Sequence, residues 1–329
     1  MSQSPLHIAI VAGGDSSEYE ISIKSAENIL AHLDPSRFDA RVVEISQKGW
    51  FVRDNDGTPC PVNRHDFSWQ PNGQSRHFDA VINSIHGTPG ENGILPAYFE
   101  LVNLPYTGCR SFSSSLTFSK YYCNQFLRQA GIRVSDAILF RQGQEFDPET
   151  IIQEIGLPCF IKPNNGGSSC GTSKVNRPDE IMPALERAFR EDREVMAEKL
   201  LVGPEVTCGL FKTRNQEKVF PLTEIVSKNE FFDYEAKYTS GMSDEITPAR
   251  IPDPVARSVQ DLSSHIYDLL DCRGLVRMDF ILVNQEPWFL EVNTVPGMTK
   301  QSIVPKQAAI SGLDLNELFS ILLEDAMTR

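Results

Sequence analysis

Residues 277 to 283 read Arg-Met-Asp-Phe-Ile-Leu-Val, and after a short polar turn residues 288 to 297 read Trp-Phe-Leu-Glu-Val-Asn-Thr-Val-Pro-Gly. Both stretches alternate and are rich in aliphatic and aromatic residues, which predicts two strands. The segment 284–286, Asn-Gln-Glu, predicts a three-residue hairpin loop, with Pro287 starting the return strand. That register places Asp279 opposite Glu291 and Arg277 opposite Asn293.

The two-residue period of a strand divides these side chains between two faces. One face would carry the polar set, Arg277, Asp279, Glu291 and Asn293. The other, buried face would carry Met278, Phe280, Leu290 and Val292. Two carboxylates directly opposite each other repel. A divalent cation held by Asp, Glu and an Asn carbonyl oxygen would compensate, and Mg²⁺ usually accompanies phosphates. The alternative is a solvated face on which Arg277 is the counter-ion.

Composition limits the classes of partner. The chain has 329 residues, a net charge of −13, 40% hydrophobic and 23% charged residues, as expected for a globular protein of two or three domains. The negative charge argues against nucleic acid and against anionic membranes. The seven scattered cysteines predict reduced thiols and, with a start that lacks signal-peptide features, a cytoplasmic location. No apolar run is long enough to span a membrane, which predicts no membrane association.

The N-terminal third has an α/β pattern. The apolar strand 7–12 ends in Gly13-Gly14, and a helical pattern follows Glu18; ligands collect beyond the carboxyl ends of such strands. Glu18 has two interpretations, a ligand-binding carboxylate or a carboxylate stabilised by the helix dipole. Residues 53–76, rich in Asp, Asn, Pro and Gly, predict a loop. His86 lies in a glycine-rich loop, either at a ligand surface or as an ordinary loop histidine.

Two later segments are predicted to cover a ligand site, one as a glycine-rich loop and the other as a lid. A strand ends at Lys162, and residues 164–174 are rich in glycine and hydroxyl groups. Such a hairpin loop can wrap phosphate oxygens with backbone N–H groups or be only a flexible turn, and it lacks the lysine of a Walker A loop. Residues 227–252 form a long connection with several aromatics, which favours an ordered lid.

Ten short motifs follow one another across nearly the whole chain. Those of the N-terminal third are Gly13-Gly14-x-x-x-Glu18-x-Glu20-x-Ser22, His86-Gly87-x-x-Gly90-Glu91-x-Gly93 and Leu104-Pro-Tyr-Thr-Gly108. Those of the middle are Lys162-Pro163, Gly167-Ser168-Ser169-x-Gly171, Glu198-Lys199, Gly203-Pro204-Glu205 and Tyr234-Glu-Ala-Lys237-Tyr238. The last are Arg277-x-Asp279 and Glu291-x-Asn293-Thr-x-Pro296-Gly297-Met298-Thr299. Together they resemble the D-alanine–D-alanine ligases of the ATP-grasp superfamily.

The resemblance implies an α/β (α+β) fold of three domains. Residues 1–108 would form a Rossmann-like substrate domain, 109–197 a central ATP-grasp lid domain, and 198–329 the C-terminal catalytic domain. It also implies ATP-dependent joining of two D-alanines through a D-alanyl phosphate, with release of ADP and phosphate, for peptidoglycan precursors. The family resemblance further suggests a homodimer.

The resemblance implies a role for each matching residue. The nucleotide phosphates would meet Lys120, Lys162, Ser168, Ser169 and Lys237, and the adenosine would meet Glu198, Lys199, Leu201 and Glu205. Two Mg²⁺ ions, which Mn²⁺ can replace, would be held by Asp279, Glu291 and Asn293. The substrate residues would be Glu18, at the ammonium of the first D-alanine, with His86 nearby, Arg277 and the Gly297 N–H at the oxyanion, and Ser302 at the second carboxylate. Ser168, Tyr238 and Glu205 would form a latch between loop and lid.

The residue types suit this chemistry. Cations neutralise a transferring phosphoryl group, a tetrahedral oxyanion needs a donor, and a closed lid excludes water from an acyl phosphate. Three other hypotheses stay open. A D-alanine–D-lactate or D-alanine–D-serine ligase is disfavoured by the lid sequence Glu235-Ala-Lys237-Tyr238. Another ATP-grasp ligase would lack the Glu18 and His86 motifs, and a non-catalytic nucleotide-binding regulator would have lost some of the charged residues. The pair Lys300-Gln301 departs from the usual family pattern.

Overall fold

The computed structural model describes residues 4–53, 58–145, 147–227 and 243–328. Three β-sheets succeed one another along the chain, and helices cover them. The α-helices of the described residues are α1 Tyr19–His32, α2 Ile94–Leu101, α3 Ser111–Phe118, α4 Lys120–Gln129, α5 Glu149–Glu154, α6 Ile181–Ala188, α7 Asp253–Leu269, α8 Ile303–Ile310 and α9 Leu315–Met327. The mixed α/β class predicted from the sequence is confirmed.

The first sheet contains the predicted N-terminal strand. Its strands are β1 Leu6–Gly13, β2 Phe38–Ser46, β3 Gly49–Arg53, β4 Pro59–Asn63, β5 Ser68–Trp69 and β6 Ala80–Asn83. They run in the order β5-β4-β3-β2-β1-β6, and β1 is parallel to both of its neighbours. Residues 8 to 12 of β1 are fully buried, as expected for a central parallel strand. The strand therefore delivers the Gly13-Gly14 turn and Glu18 to the carboxyl edge of the sheet.

The prediction that residues 53–76 form a loop was wrong. β4 and β5 extend the first sheet by antiparallel pairing, and Pro71–Gly73 forms a 3₁₀ turn. The strands are very short, and β4 carries two prolines that cannot donate ladder hydrogen bonds. The alternation in β4 rests on Cys60 and Val62 alone, so the sequence signal was too weak to outweigh the turn-forming composition.

The second sheet is antiparallel and carries the glycine-rich loop. Its strands are β7 Ala137–Arg141, β8 Cys159–Pro163, β9 Ser173–Val175 and β10 Glu194–Lys199, in the order β7-β10-β8-β9. The loop joins β8 to β9, as predicted. The sheet ends at Lys199, just past the predicted boundary at 197; the domain boundaries themselves stay predictions.

The third sheet contains the hairpin. Its strands are β11 Glu205–Lys212, β12 Glu217–Val219, β13 Thr223–Ser227, β14 Ser243–Ile246, β15 Gly274–Val283 and β16 Glu286–Asn293. The order is β14-β13-β11-β15-β16, and β12 also pairs with β11. Pro221 lies between β12 and β13. The lid was predicted over residues 227–252, and its residues 228–242 lie outside the described residues. Within the described part of this segment, residues Ser243–Ile246 form strand β14.

The register of the hairpin is confirmed where the polar side chains lie. Arg277 pairs with Asn293 and Asp279 with Glu291. The predicted three-residue loop was wrong, because the turn has two residues, Asn284 and Gln285, with φ of 52° and 67°, the geometry of a tight hairpin turn. A β-bulge beside Asp279 then restores the predicted register.

The bulge also overturns the predicted burial of Leu290. Phe289 is fully buried in its place, whereas Leu290 is only partly buried and lines a cavity. A bulge places two consecutive residues opposite one and thereby turns a side chain to the other face. Leu290 and Glu291 consequently both face the cavity side of the sheet.

The C-terminal helices join the first and third sheets. Apolar residues of β1, α1, α8 and α9 share one core with Phe211 and Leu275 of the third sheet. The Asp314 side chain accepts the Glu317 N–H at 2.8 Å and caps α9. This packing holds the segment 297–302 against the carboxyl edge of the first sheet. Among the described residues no helix is long and apolar enough to cross a membrane.

Candidate active site

Two cavities meet at the polar face of the hairpin. The first, of about 600 Å³, lies between the carboxyl edge of the first sheet and the segment 293–304. The second, of about 480 Å³, lies between the second and third sheets. Both are lined by Lys120, Arg277, Glu291 and the loop segment 166–168. A group bound at this junction would touch both cavities.

Asp279 is held at the junction by three neighbours. Arg277 donates from Nε and from one terminal nitrogen to its two oxygens at 2.9 and 2.8 Å, and Asn293 Nδ2 donates at 3.2 Å. Thr207 Oγ1, on the facing strand β11, donates to the same carboxylate. Burial opposes the charge of Arg277, but the Asp279 carboxylate outweighs it and raises the Arg277 pKa. Arg277 is therefore the counter-ion of Asp279 in this structure, but the predicted alternative of a solvated face does not hold for Asp279, which is 7% exposed.

The glycine-rich loop lies across the junction. Lys120 Nζ donates to the Gly166 carbonyl at 2.6 Å and lies 3.5 Å from a Glu291 oxygen. Ser168 Oγ donates to Glu18 at 2.6 Å, so the loop of the second sheet contacts the residue that precedes α1. At Gly167 a Cβ atom would lie 2.5 Å from Glu18 Oε2. A larger residue at position 167 would therefore push the Glu18 carboxylate away from its present place.

The second cavity has a charged wall and an apolar wall. Lys162 Nζ contacts Glu198 Oε1 at 2.6 Å, and both side chains are largely buried. Phe160, Leu201, Ile281 and Leu290 supply apolar surface. Flat apolar space beside buried charges is suited to a heteroaromatic ring that carries phosphates.

His86 presents an unpartnered nitrogen to the first cavity. The ring is 6% exposed, and its Nδ1 lies 2.8 Å from the Val295 carbonyl. Because a carbonyl only accepts, Nδ1 carries the proton and Nε2 has a free lone pair. Nε2 has no hydrogen-bond partner within the described ranges. Burial lowers the His86 pKa, although the Glu18 charge opposes this, so the ring is neutral at pH 7.

The segment after the hairpin supplies the far wall of the first cavity. Ser302 precedes α8, and its Oγ accepts the Thr299 N–H at 3.0 Å. Gly297 lies close to Ser302, because a Cβ there would be 2.9 Å from Ser302 Oγ. Backbone N–H groups at the start of a helix, together with a hydroxyl such as that of Ser302, are suited to bind a carboxylate. Lys24 and Lys300 are exposed at the rim of the same cavity.

Models of known protein families match both parts of this architecture. The D-ala D-ala ligase N-terminus model matches residues 7–109, and the D-ala D-ala ligase C-terminus model matches residues 126–324. The chain belongs to the D-alanine–D-alanine ligase family. The D-alanine–D-alanine ligase of Phocaeicola vulgatus is 49% identical over 97% of this chain and 98% of its own length.

Solved structures of ligases have the same fold. A D-Ala:D-Ser ligase from Enterococcus faecalis has a TM-score of 0.86 and 32% identity, over 98% of this chain and 99% of its own. A D-alanine–D-alanine ligase from Bacillus anthracis, complexed with ATP, has a TM-score of 0.78 and 26% identity, over 98% of both chains. The predicted ATP-grasp architecture is therefore confirmed for this ligase-family chain.

The structure gathers the described residues that the sequence singled out. The first cavity is lined by Glu18, His86, Asn293, Gly297 and Ser302, the second by Lys162, Ser169, Glu198, Lys199, Leu201, Glu205 and Asp279, and both by Lys120, Ser168, Arg277 and Glu291. Lys237 and Tyr238 lie outside the described residues. The individual roles implied by the family resemblance stay predictions.

Three of the cavity residues that were not selected from the sequence bear directly on the site. Thr207 could have been found only by pairing β11 with β15, and Leu290 only by anticipating the bulge. Glu91 was visible in the His86 motif but had no assigned role. It lines the first cavity, and its Oε2 accepts the Gly87 N–H at 3.1 Å. Burial, and then the Glu18 charge, raise the Glu91 pKa to about 7.

The raised pKa predicts that Glu91→Gln stabilises the fold at alkaline pH. The folded protein keeps the Glu91 proton up to about pH 7, whereas an unperturbed carboxyl releases it near 4.5. Wild type therefore loses stability as pH rises between these values, and the glutamine variant does not. We expect its advantage in unfolding free energy to grow by about 2 kcal/mol from pH 5 to pH 8. Denaturant unfolding at both pH values tests this, with the exposed Glu27→Gln as control; an advantage independent of pH would contradict it.

Proposed function

We propose that this chain joins two molecules of D-alanine to D-alanyl-D-alanine, with conversion of ATP to ADP and phosphate, to supply peptidoglycan precursors. The observation that carries the proposal is the junction of the two cavities at Lys120, Arg277 and Glu291. ATP in the second cavity would present its terminal phosphate at that junction. The amino acids in the first cavity would present a carboxylate to the same point.

The second cavity suits ATP in its charge and shape. Lys120 and Lys162 would contact the phosphates, with Ser168, Ser169 and the N–H groups of their loop; Lys237 belongs to the same predicted set. Glu198, Lys199, Leu201 and Glu205 would contact the adenosine. Release of Lys120 from the Gly166 carbonyl and of Lys162 from Glu198 would free both ammonium groups. Phosphoryl transfer depends mainly on such positioning and charge neutralisation.

The hairpin face fits magnesium. Asp279 and Glu291 face each other, and Asn293 donates to Asp279 through Nδ2, which leaves its carbonyl oxygen for a cation. The described residues contain no group of three His, Cys, Asp or Glu that could hold a metal, so ATP phosphates and water would complete the coordination. Two Mg²⁺ ions, replaceable by Mn²⁺, would neutralise charge on the phosphates. Asp279, Glu291 and Asn293 would hold them.

The first cavity would hold the two amino acids in sequence. Glu18 would bind the ammonium of the first D-alanine, and neutral His86 would accept a hydrogen bond at Nε2. The carboxylate of this D-alanine would attack the terminal phosphorus of ATP and form D-alanyl phosphate, with ADP as the leaving group. Ser302 would bind the carboxylate of the second D-alanine.

The second step forms the peptide bond. The free amine of the second D-alanine would attack the acyl carbon, and the tetrahedral oxyanion would be stabilised by Arg277 and the Gly297 N–H. Collapse releases phosphate and the dipeptide. Ser168, which already contacts Glu18, would hold the loop closed with Glu205 and Tyr238 and exclude water from the acyl phosphate.

A D-alanine–D-lactate or D-alanine–D-serine ligase is the less favoured alternative. The 49% identical relative is a D-alanine–D-alanine ligase, whereas the D-Ala:D-Ser ligase is 32% identical. Incubation with ATP, Mg²⁺ and D-alanine alone should release one phosphate per dipeptide. Phosphate release that requires added D-serine or D-lactate would support the alternative, and no release with any of them would overturn the proposed activity.

We also infer a cytoplasmic homodimer. All seven cysteines are free thiols, which suits a reducing compartment where ATP is available, and cell fractionation tests this location. Ile94, Leu101 and Phe112 on the adjacent helices α2 and α3 are 60%, 80% and 73% exposed. Such a patch suits a symmetric interface.

The interface predicts that Leu101→Glu dissociates the homodimer. A charge on each partner would have to be buried without compensation. Light scattering should give twice the chain mass for wild type and the chain mass for the variant, with Met182→Glu on the central domain remaining dimeric. A monomeric wild type, or a dimeric Leu101→Glu variant, would contradict this surface.

A further inference from the structure

Glu91 has no role in the proposed reaction, although its carboxyl lies within the first cavity. The loop that carries it is fixed at both ends. The Glu91 N–H donates to the Gly87 carbonyl at 2.6 Å, and the Gly87 N–H donates to Glu91 Oε2 at 3.1 Å. Ser16 Oγ donates to the His86 carbonyl at 2.9 Å and connects the same loop to the segment that carries Glu18, two residues further on. The Glu91 carboxyl is therefore held in one place.

Only one of the two oxygens of this carboxyl makes a hydrogen bond among the described residues. Oε2 meets Gly87, whereas Oε1 makes no hydrogen bond with any part of the chain that the structure describes. A carboxylate can accept several hydrogen bonds, and an enclosed one that lacks them is costly. Glu91 is partly exposed and lines the first cavity, so a donor bound there could reach its carboxyl.

The surroundings point to a small cation with several N–H donors. Glu18 lines the same cavity and its negative charge acts on Glu91. A second unpartnered acceptor, His86 Nε2, is also enclosed there. Two carboxyls and one imidazole nitrogen match the three N–H donors of a primary ammonium group. Lys120 also acts on Glu91, but its ammonium is already held by Gly166 and lies near Glu291.

We propose that Glu91 is a substrate-binding residue, whose carboxylate shares the α-ammonium of the first amino acid with Glu18 and His86. This inference rests on the proposed function and extends it by one residue. The ammonium would replace the missing partners of Glu91 Oε1 and His86 Nε2. The elevated Glu91 pKa is consistent with a carboxylate that lacks a cation until substrate binds.

The variant Glu91→Gln separates this role from support of the loop. The glutamine carbonyl can still accept the Gly87 N–H, but the negative charge is gone. Initial rates of phosphate release with Mg²⁺ would give three Michaelis constants. One is for the first D-alanine, one for the second D-alanine and one for ATP. We expect the first D-alanine constant to rise about 10- to 100-fold, as for loss of one charged hydrogen bond. The constants for ATP and for the second D-alanine should stay within about twofold.

A control variant and the pattern of the three Michaelis constants show whether Glu91 binds the ammonium. Glu27→Gln removes one exposed charge of the same domain and should leave all three constants unchanged. An unchanged first constant in a folded Glu91→Gln variant, or a rise confined to the ATP constant, would overturn the inference; the latter would assign Glu91 to Lys120. Wild-type protein without dipeptide synthesis would instead overturn the proposed function itself.

Discussion

Glu291→Gln should lower dipeptide synthesis by about 10³-fold or more, which corresponds to about 4 kcal/mol of transition-state stabilisation. The carboxylate lies at the junction of the two cavities, opposite Asp279. Its loss would remove one of the two charged oxygen donors for Mg²⁺. Initial rates at saturating ATP and D-alanine measure the effect, and raising Mg²⁺ should restore only part of the rate.

The fold should survive this substitution. Glu291 faces another carboxylate, so removal of its charge relieves repulsion, which offsets the loss of its ion pair with Lys120. The unfolding free energy should therefore change by less than about 1 kcal/mol. Glu286→Gln, at the exposed start of the same strand, should retain wild-type rates. Near-normal turnover of Glu291→Gln would refute the assignment of Glu291 to the metal.

Arg277→Met should reduce both turnover and stability. The guanidinium makes two hydrogen bonds to Asp279, which is 7% exposed. Its removal leaves a buried carboxylate without its cation, which costs about 3–5 kcal/mol. The rate should also fall about 10²- to 10³-fold, because the oxyanion would lose a donor. Denaturant unfolding and initial rates measure the two effects.

A second substitution separates the two roles of Arg277. Adding Asp279→Asn to Arg277→Met removes the uncompensated charge and should recover most of the stability. It should recover no activity, since Asp279 is a predicted metal ligand. Activity that returns together with stability would contradict both the oxyanion role of Arg277 and the metal role of Asp279.

The hairpin shows what the sequence could predict. Alternation placed Asp279 opposite Glu291 correctly, because burial of Met278 and Val292 on the other face determines the register. The turn and the bulge were missed because they compensate: one fewer turn residue and one extra strand residue leave the same pairing. Only Leu290, between them, was assigned to the wrong face.

The sequence did not predict which distant segments of the chain come into contact. The ten motifs indicated which residues form the site, but the convergence of Glu18 with Ser168, more than a hundred residues apart, depends on how the sheets pack. Thr207 could not be selected for the same reason, because its partner is defined by the contact of β11 with β15. The strands within 53–76 were too short for a periodic signal to develop.

One measurement tests the proposed reaction most directly. The protein would be incubated with ATP, Mg²⁺ and D-alanine carrying ¹⁸O in its carboxyl group, and the dipeptide and phosphate would be analysed by mass spectrometry. Attack by the carboxylate on ATP leaves one substrate oxygen bridging carbon and phosphorus, and that oxygen departs with phosphate. We predict D-alanyl-D-alanine and phosphate in equal amounts, with one ¹⁸O per phosphate. Unlabelled phosphate, or phosphate without dipeptide, would contradict the proposed reaction.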